Sequence, residues 1–352
     1  MAFYLINIAL ILFWRLFLTP KIVSNTRKCF CAIVALQWIL LSGLRDWSVG
    51  ADTYNYYTIF EQTKSISWGT TFGEFFNVSV QALYGIEKGY VAITKLFQLF
   101  SGSYQLFLIA IAVFFMTAMA VWIYRYSASP CTSFVLFSTL FYSFYAITGH
   151  RQTLATALVC FIGYDLIRRR KILWFAVVAL IAFMIHKSSL IFTPIYFLSQ
   201  VPVSMGYMLA CAMVIALIAV LGKVLYGPIA VWLGYESLID YAEGGAELYA
   251  VLLILLCAVI WAFYPRMKPH RQDIDTLFHI NSLALLSGFL VIQNQSFMRI
   301  QQYFSLFLMI TIPEVINTVK REHRLLVYLL FGAVMIAYLI IQNPQYKFFF
   351  MD

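Results

Sequence analysis

Apolar residues run in long blocks along this chain, separated by short polar joints. Blocks lie near 2–19, 29–44, 104–124, 131–148, 152–167, 172–185, 188–200, 204–222, 248–264, 277–294, 299–317 and 325–341. Crossing a hydrocarbon core takes about 20 predominantly apolar residues, so most of these blocks predict spanning helices. The block 188–200 is short for a span. The stretch 83–100 is shorter and more polar, and reads as re-entrant or interfacial. The pattern predicts an all-α polytopic membrane protein. A single integral domain over 1–352 holds about 10–12 transmembrane helices. The opening run MAFYLINIALILFWRLFLTP lacks a basic start and a small-residue cleavage site, so it reads as a first membrane helix.

Composition agrees. Hydrophobic residues make up 62% of the chain and charged residues only 11%, against roughly 25% charged in soluble domains. Mean hydropathy is +0.84. A soluble enzyme, a disordered chain and a peripheral protein with one anchor are all excluded. The six cysteines lie in or beside apolar runs and form no metal-binding spacing, so neither a disulfide framework nor a metal centre is expected.

Net charge is +9, which in a soluble protein would suggest nucleic acid. Here its distribution gives it another meaning. One set of joints holds Lys21, Arg27, Lys28, Arg125, Arg168–Lys171, Arg266, Lys268, Arg271, Lys320, Arg321 and Arg324. These outnumber the acids on that side, Asp165, Asp273, Asp275, Glu314 and Glu322, by the whole net charge of the chain. Positive-inside bias makes that side cytoplasmic and places both termini outside. No nucleic-acid partner is implied. His270, His279 and His323 fall on the basic side and read as interfacial residues without a role. Two longer segments, 45–86 and 223–247, read as outer loops, the first with interfacial helices.

Ionisable groups on the outer side gather next to helix ends. They are Arg45, Asp46 and Asp52, then Gly149-His150-Arg151-Gln152, then His186-Lys187-Ser188-Ser189, and Arg299 in QNQSFMRIQQYF. A cation at a helix start, as at Arg151, is disfavoured unless an anion joins it. Cations converging on one face favour an anionic ligand. A guanidinium fork suits phosphate oxygens. A diphosphate at a membrane surface is a lipid headgroup and, in glycosyl transfer, a leaving group that positive charge stabilises. The attacking hydroxyl also needs a base, for which His186, Asp52 and Glu87 are candidates. Titration near neutrality favours His186, and Asp52 is alternatively a simple ion-pair partner of Arg45.

Arg45-x4-Gly50-x-Asp52-x4-Tyr57, Glu87-x-Gly89-Tyr90, Arg151-Gln152-x2-Ala155, His186-Lys187-Ser188 and Arg299-x3-Tyr303 occur in this order. Together they resemble the EpsG family of Wzy-type bacterial polysaccharide polymerases. The resemblance implies a GT-C-like helical core in the bacterial cytoplasmic (inner) membrane, with a periplasmic active site. It implies a glycosyltransferase that moves a growing chain from undecaprenyl diphosphate to the non-reducing end of a new lipid-linked repeat unit. Donor and acceptor would both be undecaprenyl-diphosphate-linked glycans, and a chain-length regulator protein joins membrane lipids among the implied partners. Carried over by position, Arg45, Arg151, Arg299 and Lys187 would hold diphosphate, and His186 or Asp52 would act as base. Trp47, Tyr54, Tyr57, Glu87 and Tyr303 would contact substrate. No cofactor is expected, and transfer would be metal-independent. O-antigen, lipopolysaccharide, capsule and exopolysaccharide products are not distinguished. The rivals are a lipid-linked oligosaccharide flippase or other transporter, disfavoured by the nearly uncharged middles of the helices, and a membrane O-acyltransferase, which would need cytoplasmic catalytic residues.

Overall fold

A computed structural model describes residues 1–18, 24–75, 86–232 and 246–351. The remainder, including 76–85 of the first long segment and 233–245 of the second, lies outside the described residues. The described chain is helical, with no β-strand; an antiparallel bridge pairs Arg45 with Phe348. Among the described residues, five helices are long and apolar enough to cross a membrane: Tyr104–Tyr126, Met205–Gly222, Glu247–Met267, Ile274–Gln293 and Arg321–Gln342. Shorter apolar helices include Ala2–Phe17 and Ile172–Ile185. The chain divides into two compact units, residues 1–190 with 326–352, and residues 191–325.

The first unit contains α1 (Ala2–Phe17), α2 (Ser24–Gly43), α3 (Thr53–Ser65), α4 (Trp68–Phe75), α5 (Lys88–Gln98), α6 (Tyr104–Tyr126), α7 (Pro130–Leu136), α8 (His150–Thr156), α9 (Gly163–Arg168) and α10 (Ile172–Ile185). Proline at the start of α7 costs no helical bond, because the first N–H groups of a helix have no partner within it. Wide π-helical turns at Phe137–Phe141 and Ser143–Thr148 carry α7 onward, and another at Ala157–Ile162 links α8 to α9. Such turns often occur at functional sites, and here they flank Gly149-His150-Arg151. The expected interfacial stretch 83–100 contains α5, an amphipathic helix too short to span.

Opposite ends of this unit differ in chemistry. At one end Arg27 donates to the carbonyls of Ile123, Tyr124 and Ser127. There Asp165 also receives Arg125 at 3.2 Å and Arg169 at 2.8 Å. The starts of α5, α6 and α8 meet the ends of α2 and α10 at the other. Around that second end the chain turns sharply at Gly50, whose φ of +103° is in the region that favours glycine.

The second unit contains α11 (Ile195–Leu198), α12 (Met205–Trp232), α13 (Glu247–Met267), α14 (Ile274–Gln293), α15 (Met298–Ser305) and α16 (Leu308–Thr318), and α17 (Arg321–Gln342) starts in it. Three expectations change here. The block 188–200 is a 3₁₀ turn over Lys187–Phe192 followed by the single turn of α11. Pro194 between them has no N–H to give a continuing helix. Residues 223–232 extend α12 as helix instead of opening the second loop, as suits so apolar a run. His279 is buried, with Nδ1 2.9 Å from the Tyr207 hydroxyl and Nε2 2.8 Å from the Val201 carbonyl, so it is no interfacial residue. Arg271 pairs with Asp273 and Glu314, each at 2.7 Å.

Exposed and buried residues are distributed as lipid demands. Leu209, Met213 and Val220 of α12, and Leu326, Leu329 and Val334 of α17, face outward, while Gln301, Gln302 and Ser305 of α15 are buried. Exposed apolar faces, with polar side chains kept inside among buried apolar ones, are unsuited to water and match a hydrocarbon surround. All six cysteines are free thiols.

Gly89 lets α5 approach α10. A Cβ there would stand 2.5 Å from the Met184 carbonyl oxygen, whereas at Gly73 it would meet nothing within 4 Å. Gly89→Ala is therefore expected to destabilise the protein by about 1–3 kcal/mol, and Gly73→Ala to leave it unchanged. Melting temperatures in detergent check this; equal values for the two variants would refute the tight α5–α10 approach.

Candidate active site

Glu87 immediately precedes α5 without a side-chain bond back to that helix, and its carboxylate is the centre of the polar cluster. The side chain is 4% exposed. Oε2 accepts from Arg151 Nη1, at the start of α8. Oε1 accepts from His186 Nδ1 at 2.8 Å and from the Lys187 backbone N–H at 3.2 Å, both just past the end of α10. Three separated segments thus meet on one carboxylate. Burial pushes the Glu87 carboxyl up, but the His186 hydrogen bond and charge, with the Arg151 guanidinium, outweigh it and hold it at about 2.

The contact with Glu87 orients the imidazole. With Nδ1–H donating to the carboxylate, the neutral ring of His186 carries its lone pair on Nε2. A proton taken up at Nε2 would give an imidazolium that Glu87 stabilises, the arrangement of a general base with an orienting acid. The Arg151 side chain is 24% exposed. Its Nε reaches the Tyr56 hydroxyl at 3.4 Å, and its guanidinium carbon lies 5.7 Å from the Tyr56 ring centroid.

A second layer lies beneath. Arg45 is 2% exposed. Its Nη1 donates to the Ser42 carbonyl, and its Nη2 lies 2.8 Å from His150 Nε2. Burial disfavours its charge and lowers its pKa, partly offset by surrounding tyrosines. His150 in turn stacks on Tyr56, with centroids 4.3 Å apart and planes 14° apart.

The expected site residues separate into groups. Arg45, Glu87, Arg151, His186 and Lys187 lie in one cluster, joined directly or through Tyr56 and His150. Asp52 starts α3 without a side-chain cap bond. It does not pair with Arg45, whose polar contacts among the described residues go to Ser42 and His150; Asp46 instead accepts from Ser48. Trp47, Tyr54 and Tyr57 form an aromatic patch: Trp47 stacks on Tyr57 with centroids 5.9 Å apart and lies 5.6 Å from Tyr54. Tyr57 meets Tyr104 edge-on, and Tyr104 lies beside His150. Arg299 and Tyr303 belong to the second unit, where Arg299 is exposed in the first turn of α15 and Tyr303 is wholly buried.

Sequence reasoning missed Tyr56 and the part played by His150. His150 has a signal in its adjacency to Arg151 at a helix start. Tyr56 has none, since tyrosine is common in that loop. Glu87, expected to touch substrate or to act as base, also joins the diphosphate candidate Arg151 to the base candidate His186.

A helical membrane bundle with a buried carboxylate between histidine and arginine defines a polytopic membrane protein with an ionic site at one end of its first unit. A comparison with protein families matches residues 28–351 to the EpsG family, and the chain belongs to that family. Its members are Wzy-like polymerases of polysaccharide biosynthesis, of exopolysaccharide or O-antigen type. No curated protein and no solved structure matches the chain.

Glu87 has an acid-side signature. Its folded pKa of about 2 lies below the ordinary 4.5, so its contribution to stability is present above that range and is lost as pH falls through it. Glu87→Gln is expected to lower the melting temperature at neutral pH and to flatten the loss of stability between pH 4.5 and 2. An unchanged acid limb in the variant would assign that titration to another group.

Proposed function

We propose that this protein joins undecaprenyl-diphosphate-linked oligosaccharide repeat units at the periplasmic face of the bacterial inner membrane. Membership of the EpsG family supports the class of reaction. The single observation that carries the mechanism is the Glu87 carboxylate held between Arg151 and His186. Positive-inside bias supports the side, because Arg27, Arg125, Arg168 and Arg169 lie at the far end of the same unit.

In this reading His186 Nε2 takes the proton from a hydroxyl at the non-reducing end of the acceptor unit. That oxygen attacks the anomeric carbon of the growing chain. As the new C–O bond forms, the bond to diphosphate breaks, and its electron pair leaves on undecaprenyl diphosphate. Arg151 and Lys187 stabilise the charge that develops there. Glu87 holds the imidazolium formed on His186 and fixes the guanidinium of Arg151 toward the leaving group. Trp47, Tyr54 and Tyr57 give the glycan a stacking surface: Trp47 is 46% and Tyr54 56% exposed, although Tyr next to Trp is also what a membrane–water interface favours. Asp52 lines the approach, and Tyr303, buried in the second unit, supports α15, the helix that carries Arg299. Side-chain charge supplies the catalysis, without a divalent ion. A chain-length regulator acting on the same polymer is a further proposed partner.

Arg151→Ala and His186→Ala are expected to abolish polymer in a deletion strain complemented with each variant, while His323→Ala restores it. Gel laddering of the surface polysaccharide reads the result, with membrane content of each variant checked in parallel. Long ladders from both site variants would overturn the assignment. Single repeat units that accumulate unflipped in the deletion strain would favour a flippase instead. Purified protein should extend lipid-linked units at an undiminished rate in chelator; loss of that rate would require a metal.

A further inference from the structure

Arg45 is one of the buried cations of the first unit. Its guanidinium is shut away from the surface, yet no carboxylate among the described residues answers it. Removing such a charge from water is costly unless its geometry is used. Its polar contacts are the Ser42 carbonyl, the Ser42 hydroxyl at 3.4 Å and His150 Nε2 at 2.8 Å, while its Nε has no partner among the described residues. A guanidinium only donates, so Nε2 of His150 must accept and the ring proton must sit on Nδ1. Arg45 thereby fixes both the tautomer and the plane of His150. That plane lies against Tyr56, and Tyr56 meets Arg151 through both its hydroxyl and its ring face.

We infer that Arg45 and His150 are a buried positioning pair that sets the plane of Tyr56 and, through it, the aim of Arg151, so that Arg45 acts on the reaction without touching the diphosphate. This rests on the polymerase reading of the Glu87 site. A guanidinium enclosed by Ser42 and His150 has no face turned toward a headgroup, whereas Arg151 has an exposed one. His150 is a positioning residue for the same reason, being 2% exposed and stacked under Tyr56.

The pair makes an unusual demand on mutants. Removing one partner leaves the other buried and unpaired; replacing both with apolar residues of similar shape removes the penalty. The test compares Arg45→Met, His150→Phe, His150→Gln and the double variant Arg45→Met/His150→Phe in purified, detergent-solubilised protein. Phenylalanine keeps the stack on Tyr56 but loses the acceptor; glutamine keeps an acceptor. His150→Phe is expected to lower kcat about tenfold or more with little change in KM for the lipid-linked unit, and the double variant to return to within about threefold of wild type. His150→Gln should fall between wild type and His150→Phe. A double variant as inactive as Arg45→Met, or a KM that rises more than kcat falls, would overturn the inference and make Arg45 a direct ligand. Melting temperatures of the same proteins give an independent reading. Each single variant should melt below the double, and additive losses would also overturn the pair. Wild-type protein that fails to extend chains would count against the polymerase reading alone, with the melting temperatures still deciding the pair.

Discussion

A carboxylate buried at the end of a membrane helix bundle needs its charge answered, and Glu87 is answered from two sides. Arg151 neutralises it and His186 hydrogen-bonds it, while the Lys187 N–H adds a third donor. The donors come from two distant parts of the chain, so one ionised group holds the starts of α5 and α8 to the end of α10. Removing any partner leaves a charge stranded where water is scarce, which is why the local geometry tolerates little variation. The close contact at Gly89 belongs to the same constraint, since only a residue without Cβ lets α5 sit close enough to α10 for Glu87 to reach His186.

Much of this was legible in the sequence, though not all for the same reason. Spanning helices announce themselves, because a hydrocarbon core imposes length and apolarity together. The broken segment at 188–200 did not, since apolar composition says little about where a proline and a pair of serines interrupt a helix. The outer cations were recognisable because charge next to an apolar block is rare. Which acid would pair with which base was not: Asp52 is near Arg45 in sequence and is not its partner, whereas Glu87 meets Arg151 and His186 across long separations. Pairing across a fold depends on where helix ends arrive, which short-range spacing does not encode. The family match extends over nearly the whole chain, so the order of weak motifs carried more information than any one of them.

The charges of this protein do two separate things. Those at the basic end of the first unit bond to helix carbonyls or share Asp165. They are widely spaced and largely exposed, and their sum expresses orientation. At the opposite end Arg45, Arg151 and Glu87 contribute little to the net charge, yet they are buried and specifically bonded. A net charge reports the first kind and hides the second.

The stretch after α17 has a part in this. Residues 344–349 lie against the corner that carries Arg45: the Asp46 N–H donates to the Lys347 carbonyl at 2.9 Å, the Phe349 N–H to the Leu44 carbonyl at 3.0 Å, and the Tyr346 hydroxyl to the Leu41 carbonyl at 2.8 Å. Phe3 and Tyr4 of α1 pack against Tyr346, and the Met1 amine meets the Pro344 carbonyl. The corner that follows α2 is therefore finished by residues that follow α17 in the chain. The Tyr346–Leu41 contact joins residues 305 positions apart, so the wall over the Arg45 corner exists only where two distant stretches of the chain are held together, and a cut anywhere in the stretch after α17 would open it.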